Sequence, residues 1–213
     1  MILNNYIKIL DSVKLLSKKI KIIVVTKNQD INKINLILSK EHEHFGENRV
    51  QEASLKWKNL ISNNPKLKLH LIGKLQSNKT KDAFEIFHYI HTLDNEKLAQ
   101  IFSKLENNSA KKIKYFIQVN IANEPQKNGI SVNKIDQFIK YCINDLKLNI
   151  IGLMCIPPIK DNPKLYFKKL AELAKVNNLA ELSMGMSNDY IDAIECGSTF
   201  VRIGSAIFGQ RSN

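Results

Sequence analysis

Ile20-Lys21-Ile22-Ile23-Val24-Val25-Thr26, Asp30-Ile31-Asn32-Lys33-Ile34-Asn35-Leu36-Ile37-Leu38-Ser39 and His42-Glu43-His44-Phe45-Gly46 follow one another between residues 20 and 46. The first run is short, apolar and β-branched, the composition of a buried strand. The second has helical period, with Asp30 placed to cap its first amides. The third is again a short strand. Strand, helix, strand in immediate succession is the unit of a parallel sheet.

The same unit recurs along the chain. A helix over Leu3–Lys18, with Ile7, Leu10, Val13 and Leu16 near helical spacing, leads into the first strand. After the second strand come a helix over Arg49–Ser62, a strand over Leu67–Ile72 and a helix over Ser77–Phe87. Tyr89–Leu93, Tyr115–Ile121, Ile150–Ile156, Glu181–Gly185 and Thr199–Ile203 are the fourth to eighth strands. The helices Asn95–Glu106, Val132–Leu146, Pro163–Val176, Asp189–Cys196 and Ser205–Phe208 follow them in turn. Eight units favour closure into an α/β fold of one (β/α)₈ TIM barrel with an additional N-terminal helix. An open dinucleotide-binding sheet is the alternative, but no G-x-G-x-x-G follows any strand. No Pro/Gly/Ser-rich linker or composition shift divides residues 1–213, which read as one domain.

Composition narrows the classes further. The 213 residues are 44% hydrophobic and 24% charged, ordinary for a globular chain. The longest apolar stretches are too short to cross a bilayer, and the opening residues carry no secretory pattern. Cys142, Cys155 and Cys196 are odd in number and widely spaced, which disfavours a disulfide framework and suits a reducing cytoplasm. The net charge of +12 is almost all lysine, since the arginines are Arg49, Arg202 and Arg211. The lysines are scattered and do not alternate with stacking aromatics, so the charge reads as solvation and not as a nucleic-acid footprint.

In such barrels chemistry sits where the strands end. Polar and glycine-rich residues gather there: Thr26-Lys27, Gly46-Glu47-Asn48, Gly73-Lys74, Leu93-Asp94, Val119-Asn120, Gly185-Met186-Ser187 and Gly204-Ser205. Glycines before helical segments let amide groups approach an oxyanion, and the loops after strands seven and eight often bind phosphate. Gly185 and Gly204 also have a packing reading, at tight barrel corners. A lysine closing a Val-Val-Thr strand can present a poorly hydrated, nucleophilic amine, although position alone, in so lysine-rich a chain, favours a surface lysine. Arg202 lies between Val201 and Ile203, where a guanidinium needs a partner, either a ligand or an acidic neighbour. His70 and His91 stand at strand ends and are given no role. No metal-ligand spacing is present.

These residues carry a resemblance. Val25-Thr26-Lys27, Phe45-Gly46-Glu47-Asn48-Arg49-Val50-Gln51-Glu52, His70-Leu71-Ile72-Gly73-Lys74-Leu75-Gln76-Ser77-Asn78-Lys79, Gly152-Leu153-Met154 and Ser183-Met184-Gly185-Met186-Ser187 are similar, in that order, to the pyridoxal phosphate homeostasis proteins. That family is related to the amino-terminal barrel of alanine racemase. The resemblance implies pyridoxal 5′-phosphate (PLP) as cofactor, held as a Schiff base on Lys27. It places Asn48 beside the cofactor, Met154 on the pocket wall, Ser187, Gly204 and Ser205 at the phosphate, and Arg202 near the pyridine nitrogen. Asn28-Gln29-Asp30 departs from the family's threonine and proline after the lysine, and Ser205 replaces a threonine while keeping the hydroxyl.

The expected function is intracellular homeostasis of the cofactor without efficient catalysis. Racemisation needs two bases on opposite faces. The racemase likeness puts the second on a tyrosine of another domain and partner subunit, which has no counterpart after the eighth unit of this chain. An always-charged Arg202 also weakens the ring as an electron sink. The alternative is a low-activity amino-acid racemase; an RNA-binding barrel is a third reading. Expected partners are PLP and the apo forms of PLP-dependent enzymes, with no specific nucleic acid, no membrane, and a monomeric state.

Overall fold

The structure is a computed structural model in which residues 1–210 are described. Its strands are β1 Lys21–Val25, β2 His44–Glu47, β3 Lys68–Leu71, β4 Tyr89–Leu93, β5 Lys114–Asn120, β6 Ile130–Ser131, β7 Ile150–Met154, β8 Glu181–Met186 and β9 Phe200–Ile203. The order β4-β3-β2-β1-β9-β8-β7-β5 is parallel throughout and is closed by the β4–β5 pairing. The result is an eight-stranded (β/α)₈ barrel. The two-residue β6 lies outside the ring, paired to the end of β5 through Val119–Ile130.

The helices are α1 Ile2–Leu16, α2 Ile31–Leu38, α3 Val50–Asn63, α4 Thr80–Ile86, α5 Glu96–Asn107, α6 Ile135–Lys140, α7 Pro163–Val176, α8 Tyr190–Glu195 and α9 Ser205–Phe208. Side-chain caps start three of them. Asp30 accepts from the amide of Asn32 at 2.7 Å, Asn95 from Leu98 at 3.0 Å and Asn162 from Lys164 at 3.0 Å, each satisfying an amide the helix itself cannot. The leading helix α1 packs against α9 at the other end of the chain, and Asn5 donates to the Ile207 carbonyl at 3.1 Å.

Two differences from the expected elements have local causes. The helix expected over residues 132–146 is a 3₁₀ turn at Val132–Lys134, then α6, then a π-helical turn at Tyr141–Asp145. Residues 130–131 are drawn onto β5, so the chain enters this helix from a strand. The second strand starts at His44, two residues late, because Glu41 takes a left-handed φ of 56° and the ring of His42 folds back onto the His44 carbonyl at 2.9 Å.

The core has two layers. The larger fills the space between barrel and helices, around Trp57, Phe45, Phe102 and Phe167. The smaller lies inside the barrel and joins Ile23, Tyr89, Phe116, Met154 and Phe200. Alternate strand residues point inward, so apolar rings occupy the interior together with polar side chains that need partners there.

Candidate functional site at the strand ends

Sheet register brings the key segments together. β1 pairs with β9, Ile23 beside Arg202 and Val24 beside Ile203. Lys27, just past β1, and Gly204-Ser205, just past β9, therefore leave neighbouring strands at the same end. β8 is the other neighbour of β9, with Met186 opposite Arg202. That places Ser187 at the same mouth.

Ser187 is held by amides. Its Oγ accepts from the Gly204 N–H at 3.3 Å and from the Ala206 N–H at 3.2 Å. Two backbone donors thus converge on one oxygen across the β8–β9 junction, a donor set that suits an oxyanion equally well. The glycines themselves answer to packing. A Cβ on Gly185 would lie 2.5 Å from Ala193 Cβ, and φ there is +91°. A Cβ on Gly204 would press on Val25 Cβ at 3.2 Å. Anion-binding capacity at this corner therefore rests on amides and hydroxyls, while the glycines let the strands and α8 close up.

Lys27 is partly buried at the rim and follows a fully buried Thr26. The peptide before it is fixed from below. Thr26 Oγ1 donates to Glu47 Oε1 at 2.7 Å, and Lys56 Nζ donates to the Thr26 carbonyl at 2.7 Å. Glu47 is fully buried and also accepts from Trp57 Nε1 at 2.9 Å and pairs with Lys56 at 2.7 Å. Lys56 pairs in turn with Glu52 at 2.8 Å, and Glu52 accepts from the Asn28 amide at 2.5 Å. Both residues flanking Lys27 are thereby tied to β2 and α3. Burial alone would raise the Glu52 carboxyl, but its bonds to Lys56 and Asn28 outweigh this and hold it below its usual value.

Asn48 is half-buried just past β2, and its backbone is covered so closely by Gly73 that a Cβ there would overlap the Asn48 carbonyl. Met154 is fully buried among the inner rings. Ser205 is exposed at the first residue of α9.

Arg202 is 5% exposed. Among the described residues no carboxylate forms an ion pair with it; Asp189 acts on it only at longer range. Instead Nη1 donates to the Ser183 carbonyl at 2.7 Å and to Ser183 Oγ at 2.8 Å, and Nη2 donates to the Cys155 carbonyl at 3.0 Å. Burial lowers its pKa from the ordinary guanidinium value, but arginine remains charged at any ordinary pH. His70 and His91, given no role from sequence, prove to be hydrogen-bonded to each other at 2.9 Å inside the barrel.

Glu47, Lys56 and Ser183 were not singled out by sequence reading. A signal existed for two of them. Glu52 and Lys56 are four apart on one helix face, and Ser183 is two residues from Gly185 on the same face of a strand. Cavities lie elsewhere: one of about 350 Å³ at the opposite end, lined by Lys21, Lys114 and Phe200, and one of about 820 Å³ against α5 and α6. The mouth is identified by its converging donors. Among the described residues no group of three or more His, Cys, Asp or Glu side chains is placed to hold a metal ion.

A parallel barrel with an amine, an arginine and a hydroxyl–amide corner on adjacent strands defines a class, and comparison agrees with it. Residues 5–212 match the alanine racemase N-terminal domain. The pyridoxal phosphate homeostasis protein of Pasteurella multocida is 36% identical over 202 residues, covering 90% of this chain and 87% of that one. Its Vibrio cholerae counterpart is 38% identical, covering 90% and 86%. The structure of PipY from Synechococcus elongatus with PLP bound superposes with a TM-score of 0.85 at 31% identity, covering 98% of this chain and all of that one. The chain belongs to the pyridoxal phosphate homeostasis protein family, on the alanine racemase amino-terminal fold.

Proposed function

We propose that this chain binds pyridoxal 5′-phosphate at the C-terminal mouth of its barrel and serves as a homeostasis protein for that cofactor, without efficient turnover. The observation that carries the reading is the register of β1, β8 and β9, which sets Lys27, Ser187, Arg202 and Gly204-Ser205 at one mouth. The donor set fits the group. Amides of Gly204 and Ala206, with the hydroxyls of Ser187 and Ser205, suit a phosphate; Lys27 supplies the amine; Asn48 and Met154 belong to the walls. The PLP-bound state of PipY, a relative of the same fold, supports the choice of cofactor.

Bound PLP supplies an aldehyde that condenses with an amine and a pyridine ring that withdraws electrons. Lys27 holds the aldehyde end. Arg202 offers only N–H donors, so a ring nitrogen facing it accepts a bond and stays unprotonated, which makes the ring a weak electron sink. That disfavours catalysis and favours holding. Recipients are the apo forms of PLP-dependent enzymes, and the protein acts as a monomer in the cytoplasm. Three free thiols suit a reducing compartment, and burial pushes those of Cys142 and Cys155 up to about 12. No helix among the described residues is long and apolar enough to cross a membrane.

The test of holding against turnover is α-proton exchange. The loaded protein, incubated with an amino acid in heavy water, is expected to exchange the α-proton no faster than Lys27→Ala. Rapid exchange abolished by Lys27→Ala establishes the racemase alternative instead.

A further inference from the structure

A continuous hydrogen-bond line crosses the barrel interior. His44 Nδ1 lies 2.9 Å from His70 Nε2, His70 Nδ1 lies 2.9 Å from His91 Nε2, and His91 Nδ1 lies 2.8 Å from Ser183 Oγ. Ser183 Oγ in turn accepts from Arg202 Nη1 at 2.8 Å. His70, His91 and Ser183 are fully buried. Their rings are clamped: His70 stacks on Tyr89 at 4.2 Å and 13°, and His91 on Phe116 at 4.3 Å and 20°. One end of the line is His44, at the first residue of β2 and the N-terminal opening. The other is the arginine whose charge has no carboxylate partner among the described residues.

We infer that Ser183, His91, His70 and His44 form a one-directional relay of hydrogen bonds that positions Arg202 and offsets its buried charge. The reading rests on the PLP site for what Arg202 then does, but the relay itself does not. Direction follows from counting protons. Ser183 Oγ accepts from Arg202, so its single proton is directed at His91 Nδ1. His91 must then donate through Nε2 to His70 Nδ1, and His70 through Nε2 to His44 Nδ1. All three rings are neutral and carry the proton on Nε2. In the reverse direction His91 would donate to a Ser183 oxygen already facing a cation, and the serine proton would lack an acceptor among the described contacts.

Electrostatics selects the same direction. Each neutral ring then turns its lone-pair side toward Arg202 and its N–H side away. Lysines at the other opening act in the opposite sense: Lys21, Lys68 and Lys114 all bear on His44. They are weaker, because charges in contact with water are screened while a buried guanidinium is not. Lys21 has a 40% exposed side chain and is paired with Glu181 at 3.2 Å. Three of the guanidinium's five N–H groups are fixed on the Ser183 and Cys155 sites.

The test begins with ¹⁵N-histidine spectra of the full chain, recorded without added cofactor. The expected result is neutral Nε2–H tautomers for His44, His70 and His91, with Nδ1 unprotonated in each. An Nδ1–H tautomer, or an imidazolium, at His91 at pH 7 overturns the relay. Ser183→Ala is expected to alter the His91 Nδ1 signal and weaken PLP binding about tenfold, while Ser183→Thr restores both. An unchanged His91 signal in Ser183→Ala likewise overturns it. Because the tautomers are read in the unloaded protein, they stand or fall independently of the PLP site, which cofactor uptake by the unsubstituted chain decides separately.

Discussion

Lys27 shows how far a single residue can be read. By position alone it is a lysine after a strand in a lysine-rich chain, and only the family resemblance singles it out. The structure adds what surrounds it: a fully buried Thr26 before it, and an Asn28 amide tied to Glu52 after it. Glu47 was legible only as part of a motif. Its burial was not, because strand periodicity marks a position facing the helix layer without saying that a cation waits there. Lys56 supplies that cation from α3 at 2.7 Å. Removing one partner of a buried, multiply bonded pair is costly, since the other is left charged and under-bonded. Glu47→Ala is therefore expected to destabilise the fold by about 3 kcal/mol in urea unfolding. A change near zero would mean that Lys56 is satisfied by Glu52 alone.

At the scale of elements, β4 and α7 run as the sequence predicts, from Tyr89 to Leu93 and from Pro163 to Val176. Both carry unambiguous signals, a continuous apolar run in one and an Asn-Pro start in the other. The helix after β5 was illegible in detail because β6 and the π-helical turn are set by pairing with β5 and by packing, which a local period does not encode. The turn from β8 into α8 lies between these cases. Its glycine suggested either phosphate binding or packing, and contact with Ala193 establishes the packing role. Gly185→Ala combines a left-handed φ of +91° with a Cβ 2.5 Å from Ala193. A loss of about 1–3 kcal/mol is expected, measured as a lower thermal midpoint. A variant as stable as the parent would show that the β8–α8 corner relaxes freely.

The whole barrel stores a pH dependence in its interior. Burial lowers all five histidines; His42, His44 and His88 each fall to about 4 from an ordinary 6.5. Unfolded histidines take up protons as the pH falls through about 6.5, whereas these folded ones do not until about 4. Their stabilising contribution is thus present above pH 6.5 and lost as the pH falls toward 4, each on the order of 1–3 kcal/mol. Thermal midpoints measured from pH 7 to 4 are expected to fall steeply across that window, and a flat profile contradicts neutral interior histidines. The eight-unit rhythm made the barrel legible from sequence, while the inner polar line was not, because strand ends show which residues are near a mouth but not which ones face each other across the ring. The central claim is that one lysine among so many holds the cofactor. Reduction of the PLP-loaded protein with borohydride, followed by peptide mass mapping, tests it most directly. The account predicts loss of the visible absorbance band and a single added mass at Lys27. An added mass spread over other lysines, or a colourless protein that takes up no cofactor, contradicts it.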